Sequence, residues 1–318
     1  MIGYRPFRNS DPPHLAEIWR TQPPERGLMQ PMSADVFEQL VLAKPYFENA
    51  GLMVATDDGV PVGFAHAAFG PSDDEQRLST QLGTTCLVMV RTNYQRRGIG
   101  AELVARSEHY LRERGAQVLY AGGIRPLNAF YLGLYGGSEL PGVLDSDPKA
   151  QHLFKSLDYR EIDRSLVLHR SLAGFRPSVD RQQMQIRRRC SLVMVEDPPA
   201  KSWWDACTYG GFDRTQLDLV SRQDNTTLAS VMLWNIEPLS SSWGVHAAGV
   251  VELLVDAAQR RQGLATFLLG EAFRHLQGCG ISLVEVQTMQ SNTAARNLYQ
   301  KLGFQEIDQG AVYRKDAP

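Results

Sequence analysis

The sequence predicts an α/β protein with a mixed (α+β) sheet, made of two consecutive copies of one unit. Three observations predict it. A glycine-containing turn occurs twice, as Gln95-Arg96-Arg97-Gly98-Ile99-Gly100-Ala101 and as Arg260-Arg261-Gln262-Gly263-Leu264-Ala265. Each copy follows an apolar run that reads as a buried strand, Cys86 to Val90 in the first and Val250 to Val255 in the second. Each also opens a stretch of helical spacing, through Leu103, Val104 and Leu111 and through Phe267, Leu268, Leu269, Phe273 and Leu276. A hairpin precedes the first copy, with Asp57-Asp58-Gly59 between Met53–Thr56 and Val62–Ala68.

The register of the two copies supports a true repeat. Val90 aligns with Val255, Gln95 with Arg260, Gly98 with Gly263 and Leu103 with Leu268, at a constant offset of 165 (263 − 98). Further on, Ala150 to Tyr159 aligns with Ala295 to Phe304 at an offset of 145 (295 − 150), so the first copy holds 20 extra residues (165 − 145) between the blocks. A helix ending in a left-handed residue explains Gly303, and Asp158 is one of the few residues tolerated in its place.

A strand, a turn and a helix in this order make an anion site. The first amides of a helix lack internal acceptors and sit at the positive end of its dipole. Glycine lets an oxyanion approach the main chain, and the arginines add charge.

With these motifs the chain resembles, twice, the GNAT superfamily of acetyl-CoA-dependent N-acyltransferases. The likeness rests on V-R-T-N-Y-Q-R-R-G-I-G from Val90 to Gly100, on V-D-A-A-Q-R-R-Q-G-L-A from Val255 to Ala265, and on N-x-x-A-x-x-L-Y-x-x-x-G-F from Asn292 to Phe304. Tyr4-Arg5-Pro6-Phe7-Arg8, then Asp11 and a helical Leu15, Ile18 and Trp19, resemble the first strand and helix of that fold. Between about 180 and 230 the likeness is faint. In plan the chain is similar to the mycothiol synthases, which are tandem members. The resemblance implies a twisted central sheet in which two parallel strands splay to admit a pantetheine arm. It also implies two acetyl-CoA turns, at Val90, Gln95, Arg96, Arg97, Gly98, Ile99, Gly100 and Ala101, and at Val255, Arg260, Arg261, Gly263, Leu264 and Ala265.

Length and composition fit this plan. A chain of 318 residues favours two domains. The Gly, Pro and Ser content of Ser171 to Ser178 reads as a linker, so residues 1–172 and 181–318 are expected to form the domains with 173–180 between them. A net charge of −2 and a pI near 6.4 offer no global attraction for nucleic acid or an anionic membrane. Arg187-Arg188-Arg189 reads as a solvated face. Cys86, Cys190, Cys207 and Cys279 form no C-x-x-C pair and read as reduced, mostly buried thiols, with no metal site expected. With no signal peptide or membrane-length apolar run, a cytoplasmic enzyme is expected.

Acyl transfer to an amine needs a neutral nucleophile, a stabilised oxyanion and a proton for the departing thiolate. An amine near pKa 10 is mostly ammonium at neutral pH, so a carboxylate is the expected base. Glu252 has two readings. By strict alternation it faces away from Leu253 and Val255 as a partly desolvated base; alternatively, it is a strand-edge carboxylate bonded to an arginine. By resemblance, Tyr299 gives a proton to the CoA sulfur and the Val255 amide meets the thioester carbonyl. Asn292 caps the same helix and touches the pantetheine arm. The first copy departs at both chemical places, with Leu87 aligned to Glu252 and Phe154 to Tyr299. It is therefore equipped to hold CoA and poorly equipped to use it.

The insertion, from Leu127 to about 147, is aromatic and glycine-rich. Either Tyr131, Tyr135 or Glu139 supplies a missing group, or the segment is a flap or packs on the other half. Trp203-Trp204 and Tyr209-Gly210-Gly211-Phe212 fall where the family builds its acceptor pocket, though aromatic pairs also build cores. The expected activity is acetyl transfer from acetyl-CoA to a small-molecule primary amine, carried by the C-terminal half. The alternatives are acetylation of a protein or peptide amine, and a non-catalytic acetyl-CoA-binding regulator.

Overall fold

The computed structural model describes residues 1–127, 130–177 and 179–316. Its N-terminal half runs β1 (Ile2–Pro6), α1 (Pro12–Arg20), α2 (Ala34–Phe37), β2 (Leu52–Asp57), β3 (Val60–Pro71), β4 (Leu78–Val90), α3 (Ile99–Glu113), β5 (Val118–Ala121), β6 (Val143–Leu144), α4 (Pro148–Ser156) and β7 (Arg160–Ser171). The C-terminal half runs α5 (Arg181–Arg189), β8 (Cys190–Glu196), α6 (Trp203–Tyr209), β9 (Arg214–Ser221), β10 (Thr227–Asn235), α7 (Glu237–Ser242), β11 (Ala247–Val255), α8 (Leu264–Gly278), β12 (Leu283–Met289), α9 (Thr293–Lys301) and β13 (Gln305–Asp316).

Matching elements have matching causes. Helices α3 and α8 each have 15 residues and follow a left-handed glycine, Gly98 and Gly263, both at φ 80°. Two residues earlier, Arg96 (φ 62°) and Arg261 (φ 64°) also sit in the left-handed region. That conformation is costly for a side-chain-bearing residue, and its recurrence marks one turn built twice. Helices α4 and α9 each have nine residues, capped by Asp147 and Asn292, whose side chains accept from Ala150 N (3.1 Å) and Ala295 N (3.2 Å). Past their ends, Asp158 (φ 66°) and Gly303 (φ 78°) are both left-handed, as their alignment predicts.

All strands join one sheet, in the order β1-β2-β3-β4-β5-β13-β7-β12-β11-β10-β9-β8, with β6 against β13. The middle of this order was not foreseen. Strand β13, the last of the C-terminal half, pairs with β5; strand β7, the last of the N-terminal half, pairs with β12. The two exchanged strands pair antiparallel with each other. The exchange obeys the repeat: Tyr313 opposes Ala121 and Leu168 opposes Val286, pairs related by the same offsets of 145 (313 − 168) and 165 (286 − 121).

Each half contains one parallel pair that splays. Strands β4 and β5 stay paired from Leu82·Val118 to Thr85·Ala121, after which β4 continues to Val90 without that neighbour. Strands β11 and β12 part after Val250·Val286. The V-shaped gaps are those the family resemblance implies.

The insertion packs between the halves. Phe130, Tyr131, Leu134, Tyr135 and Leu140 are buried in a core shared with Trp19, Phe37 and Tyr46 of the N-terminal half and Trp204 and Leu239 of the C-terminal half. Trp204 lies tilted against Tyr46 at 4.6 Å, and Tyr209 is buried, so these two aromatics are core. Asn128 and Ala129 of the insertion and Ser178 of the linker lie outside the described residues. Within the linker Phe175 meets Phe273 edge-on at 5.3 Å, and Leu172 just before it is buried. Of the cysteines, Cys86 and Cys190 are buried and Cys279 is exposed. No helix among the described residues is long and apolar enough to cross a membrane.

Because β5 and β12 each take their outer neighbour from the other half, neither half closes its sheet alone. Residues 1–175 expressed by themselves should fail to form a folded monomer, whereas co-expressed 1–175 and 176–318 should combine one to one. Light scattering after size exclusion, with amide NMR dispersion, checks both outcomes.

Candidate functional site

The two turns present the same groups. In α3 the first helical bond runs from Glu102 N to Gly98 O (3.1 Å), and in α8 from Phe267 N to Gly263 O (3.0 Å), leaving the amides of Ile99, Gly100 and Ala101 and of Leu264 and Ala265 ahead of the ladder. Gln95 Nε2 folds back onto Val90 O (2.9 Å), as Arg260 Nε does onto Val255 O (3.4 Å). The surroundings differ. A side chain at Gly98 would meet open space, while one at Gly263 would come within 2.9 Å of the Gln182 carboxamide. Gln182, an exposed residue of α5, donates to Gln262 O (3.1 Å), and Arg189 donates to Gln262 Oε1 (3.1 Å). Within the basic run, Arg187 pairs with Glu271 of α8.

A cavity of about 430 Å³ opens beside the first turn. Val88 to Val90, Gln95, Arg96, Gly98 and Gly100 line one side, the start of α4 another, and Leu28, Tyr135 and Leu144 add an apolar wall. A left-handed glycine with free space above it, unpaired helix amides and an adjoining apolar slot suit a phosphate-bearing molecule with a long neutral arm. At the chemical positions of this half, Leu87 is buried, and Phe154 packs in the core at 5.2 Å from Tyr159.

The gap between β11 and β12 is furnished differently. Glu252 has φ 51° and sits where the β10–β11 register slips, so the strand bulges and strict alternation does not hold there. Its carboxylate bonds Arg125 Nη2 (2.6 Å) and also Lys201 Nζ. Burial pushes the Glu252 carboxyl up, but these two cations outweigh it and hold the group below its ordinary range. The carboxylate therefore does bond an arginine, as one of the two sequence readings expects. Arg125 and Lys201 carried no pattern that singled them out.

Glu285, on β12, is fully buried and saturated. It accepts from His169 Nε2 (2.7 Å), Ser138 N (2.5 Å) and Gln287 Nε2 (3.1 Å), which together overcome burial and lower its pKa. His169 reaches it only because β7 has crossed into this half, where the two residues stand opposite each other. Arg26 lies against the imidazole and over the Trp243 ring, 4.2 Å from its centroid. Gln287 Nε2 also holds the carbonyls of Gly136 (3.1 Å) and Glu139 (3.0 Å), and Trp234 Nε1 donates to Ser138 O (3.2 Å). The insertion of the first half is thus bonded into the gap of the second.

Glu139 comes with it. Its carboxylate lies 3.8 Å from Arg125 Nη1 and its side chain is 23% exposed, enclosed yet reached by solvent. Burial pushes this carboxyl up to about 7; Arg125 opposes the shift and the charges of Glu252 and Glu285 add to it. Tyr299, on α9, is buried against Phe304, and burial plus the charge of Glu139 pushes its phenol up to about 12. Tyr131 and Tyr135 are spent elsewhere, on His66 Nδ1 (2.9 Å) and Leu144 N (3.1 Å). No cluster of metal-ligating side chains occurs among the described residues.

These features place the chain among known proteins. The model of the acetyltransferase (GNAT) family matches residues 13–136 and 182–304, most of the chain, and the chain belongs to that family in tandem form. It is 41% identical over 61 residues to a mycothiol acetyltransferase of Streptosporangium roseum, a match covering 19% of this chain and 18% of that protein. It is 42% identical over 60 residues to the bS18-alanine N-acetyltransferase of Haemophilus ducreyi, covering 19% of this chain and 41% of that protein. The chain thus spans less than half the length of either relative. A tandem GNAT protein from the clavulanic acid biosynthesis pathway has the same fold, with a TM-score of 0.67 at 15% identity over 100% of this chain and 99% of that one.

Removing Glu285 takes the acceptor from two buried donors, the Ser138 amide and the His169 imidazole. Glu285→Ala should cost about 3–5 kcal/mol, read from the urea midpoint. A carboxyl lowered by folding stabilises above its unfolded pKa of about 4.3 and loses that contribution as pH falls through the folded value. The wild-type midpoint should therefore drop below about pH 4, and a folded Glu285→Gln variant should show a shallower drop.

Proposed function

We propose that this protein transfers the acetyl group of acetyl-CoA to the primary amine of a small molecule, and that the C-terminal half does so. In this reading residues 1–172 and 181–318 are the two units, joined by 173–180, and the protein works in the cytoplasm. The observation that carries the reading is the unequal furnishing of the two gaps. In the second, Glu139 and Glu252 both face Arg125 and the charge of Glu139 reaches Tyr299, where the first has the buried Leu87 and Phe154.

The roles follow from the chemistry. The turn from Arg260 to Ala265, with Val255 before it and Asn292 at the head of α9, holds acetyl-CoA through its diphosphate and pantetheine arm. The Val255 amide faces the thioester carbonyl. A phenol raised to about 12 keeps its proton at any working pH, so Tyr299 donates to the departing sulfur. Glu252, kept ionised by Arg125 and Lys201, holds those two side chains beside the gap. At the C-terminal turn the exposed Gln182 swings off Gly263 by rotation about its own bonds. The turn from Gln95 to Ala101 and its cavity hold a second CoA that is not turned over. The match to a ribosomal-protein alanine acetyltransferase supports the second reading, a peptide amine as acceptor.

Thiol release from acetyl-CoA, with glucosamine and an alanyl peptide as acceptors, tests both readings. Tyr299→Phe keeps the ring and removes the proton, so kcat should fall by roughly 10²–10⁴ with little change in KM for acetyl-CoA. Gly98→Val and Gly263→Val should each remove one CoA site in calorimetry, and only Gly263→Val should abolish turnover. Full turnover by a folded Gly263→Val protein would make the N-terminal half the enzyme.

A further inference from the structure

Three carboxylates converge on the second gap, and their environments sort them. Glu285 has no solvent access, and three donors fill its oxygens. Glu252 is committed to Arg125 and Lys201. Glu139 faces one cation at 3.8 Å, beyond hydrogen-bonding distance, and keeps a water-accessible side chain. It is also the carboxylate whose charge Tyr299 feels. Its main chain is fixed by Gln287 from the strand that forms one wall of the gap, so its position does not depend on its own side chain. Resting on the proposed chemistry of the C-terminal half, we propose that Glu139, delivered by the N-terminal half's insertion, is the base that deprotonates the acceptor amine in the C-terminal gap.

The proton balance closes. Glu139 takes the proton that the ammonium must lose before its lone pair can form the N–C bond. As that bond forms and the C–S bond breaks, the sulfur takes a proton from Tyr299. The nitrogen's second proton restores the phenol, and Glu139 returns its own to solvent, so one proton is released per turnover. The two groups are also coupled in a useful sense. Ionised Glu139 makes Tyr299 hold its proton more tightly; once Glu139 is protonated that hold is relaxed, just when the sulfur needs the proton.

The groups facing Glu139 are Arg125 from the segment after β5, Glu252 from β11, Glu285 from β12 and Tyr299 from α9, with Lys201 and His169 behind Glu252 and Glu285. A base near 7 that works ionised gives a rate that rises with pH through about 7 and then levels. Loss of the negative Glu252 frees Arg125 and removes a like charge, so Glu252→Gln should move that limb to lower pH rather than abolish it.

The test uses the full chain in two arms. Carboxyl ¹³C NMR of the free protein should show one glutamate titrating near 7, absent in Glu139→Gln; no such resonance overturns the assignment. Thiol release with acetyl-CoA and glucosamine or an alanyl peptide, whichever turns over faster, should show kcat/KM at pH 7 reduced roughly 10²–10⁴-fold in Glu139→Gln, with the limb near 7 gone. Glu139→Asp should restore part of the rate together with a limb. An unchanged pH profile in Glu139→Gln while Tyr299→Phe is inactive sinks Glu139 as base and leaves the C-terminal centre standing. Full activity in both variants sinks the C-terminal centre itself.

Discussion

Between β7 and β13 the backbone of one half is bonded to the backbone of the other, from His169·Gln305 to Arg160·Arg314. This is the longest of the strand pairings that join the halves. Strand β7 lies between β13 and β12, and β13 lies between β5 and β7, so removing either leaves ladder groups with no protein partner on two sides. The pairing also carries His169 across to Glu285, and Glu285 in turn holds Ser138. A backbone exchange at the centre of the sheet thereby helps to set the position of an insertion that belongs to the other half.

The second gap is consequently a composite. Its walls, β11 and β12, and its tyrosine come from the C-terminal half, while Arg125, Ser138 and Glu139 come from the N-terminal half. Small residues make room for the fit. A side chain at Gly249 would run into Ser138, and one at Gly137 into the Glu285 carboxylate. The first gap is built by the same strands and the same turn, but its chemical positions are apolar and a cavity lies beside its turn.

Much of this was legible in the sequence because it is local. The offsets of 165 and 145 located both turns, both capped helices and the left-handed Asp158 and Gly303, each a matter of a few adjacent residues. The strand exchange was not legible, since an apolar interior strand looks the same whichever neighbour it takes. The bulge at Glu252 defeated the alternation argument, because one residue in the left-handed region resets the faces of those around it. Arg125, Lys201 and His169 stand alone in sequence and acquire a role only through long-range folding. The insertion was correctly singled out, and its aromatics proved to be core while Ser138 and Glu139 reached the gap.

The position of β13 also bears on how the chain is made. Its partner β5, Val118–Ala121, leaves synthesis well before the strand that covers it, Gln305–Asp316, which begins 184 residues later (305 − 121). Until then the N-terminal sheet carries an open edge, the kind of template on which a neighbouring chain can add a strand. Domain-by-domain folding during translation is closed to this molecule. Contacts of such long sequence separation are slow to form, so the nascent protein spends longer exposed than its compact halves suggest and depends on whatever shields that edge.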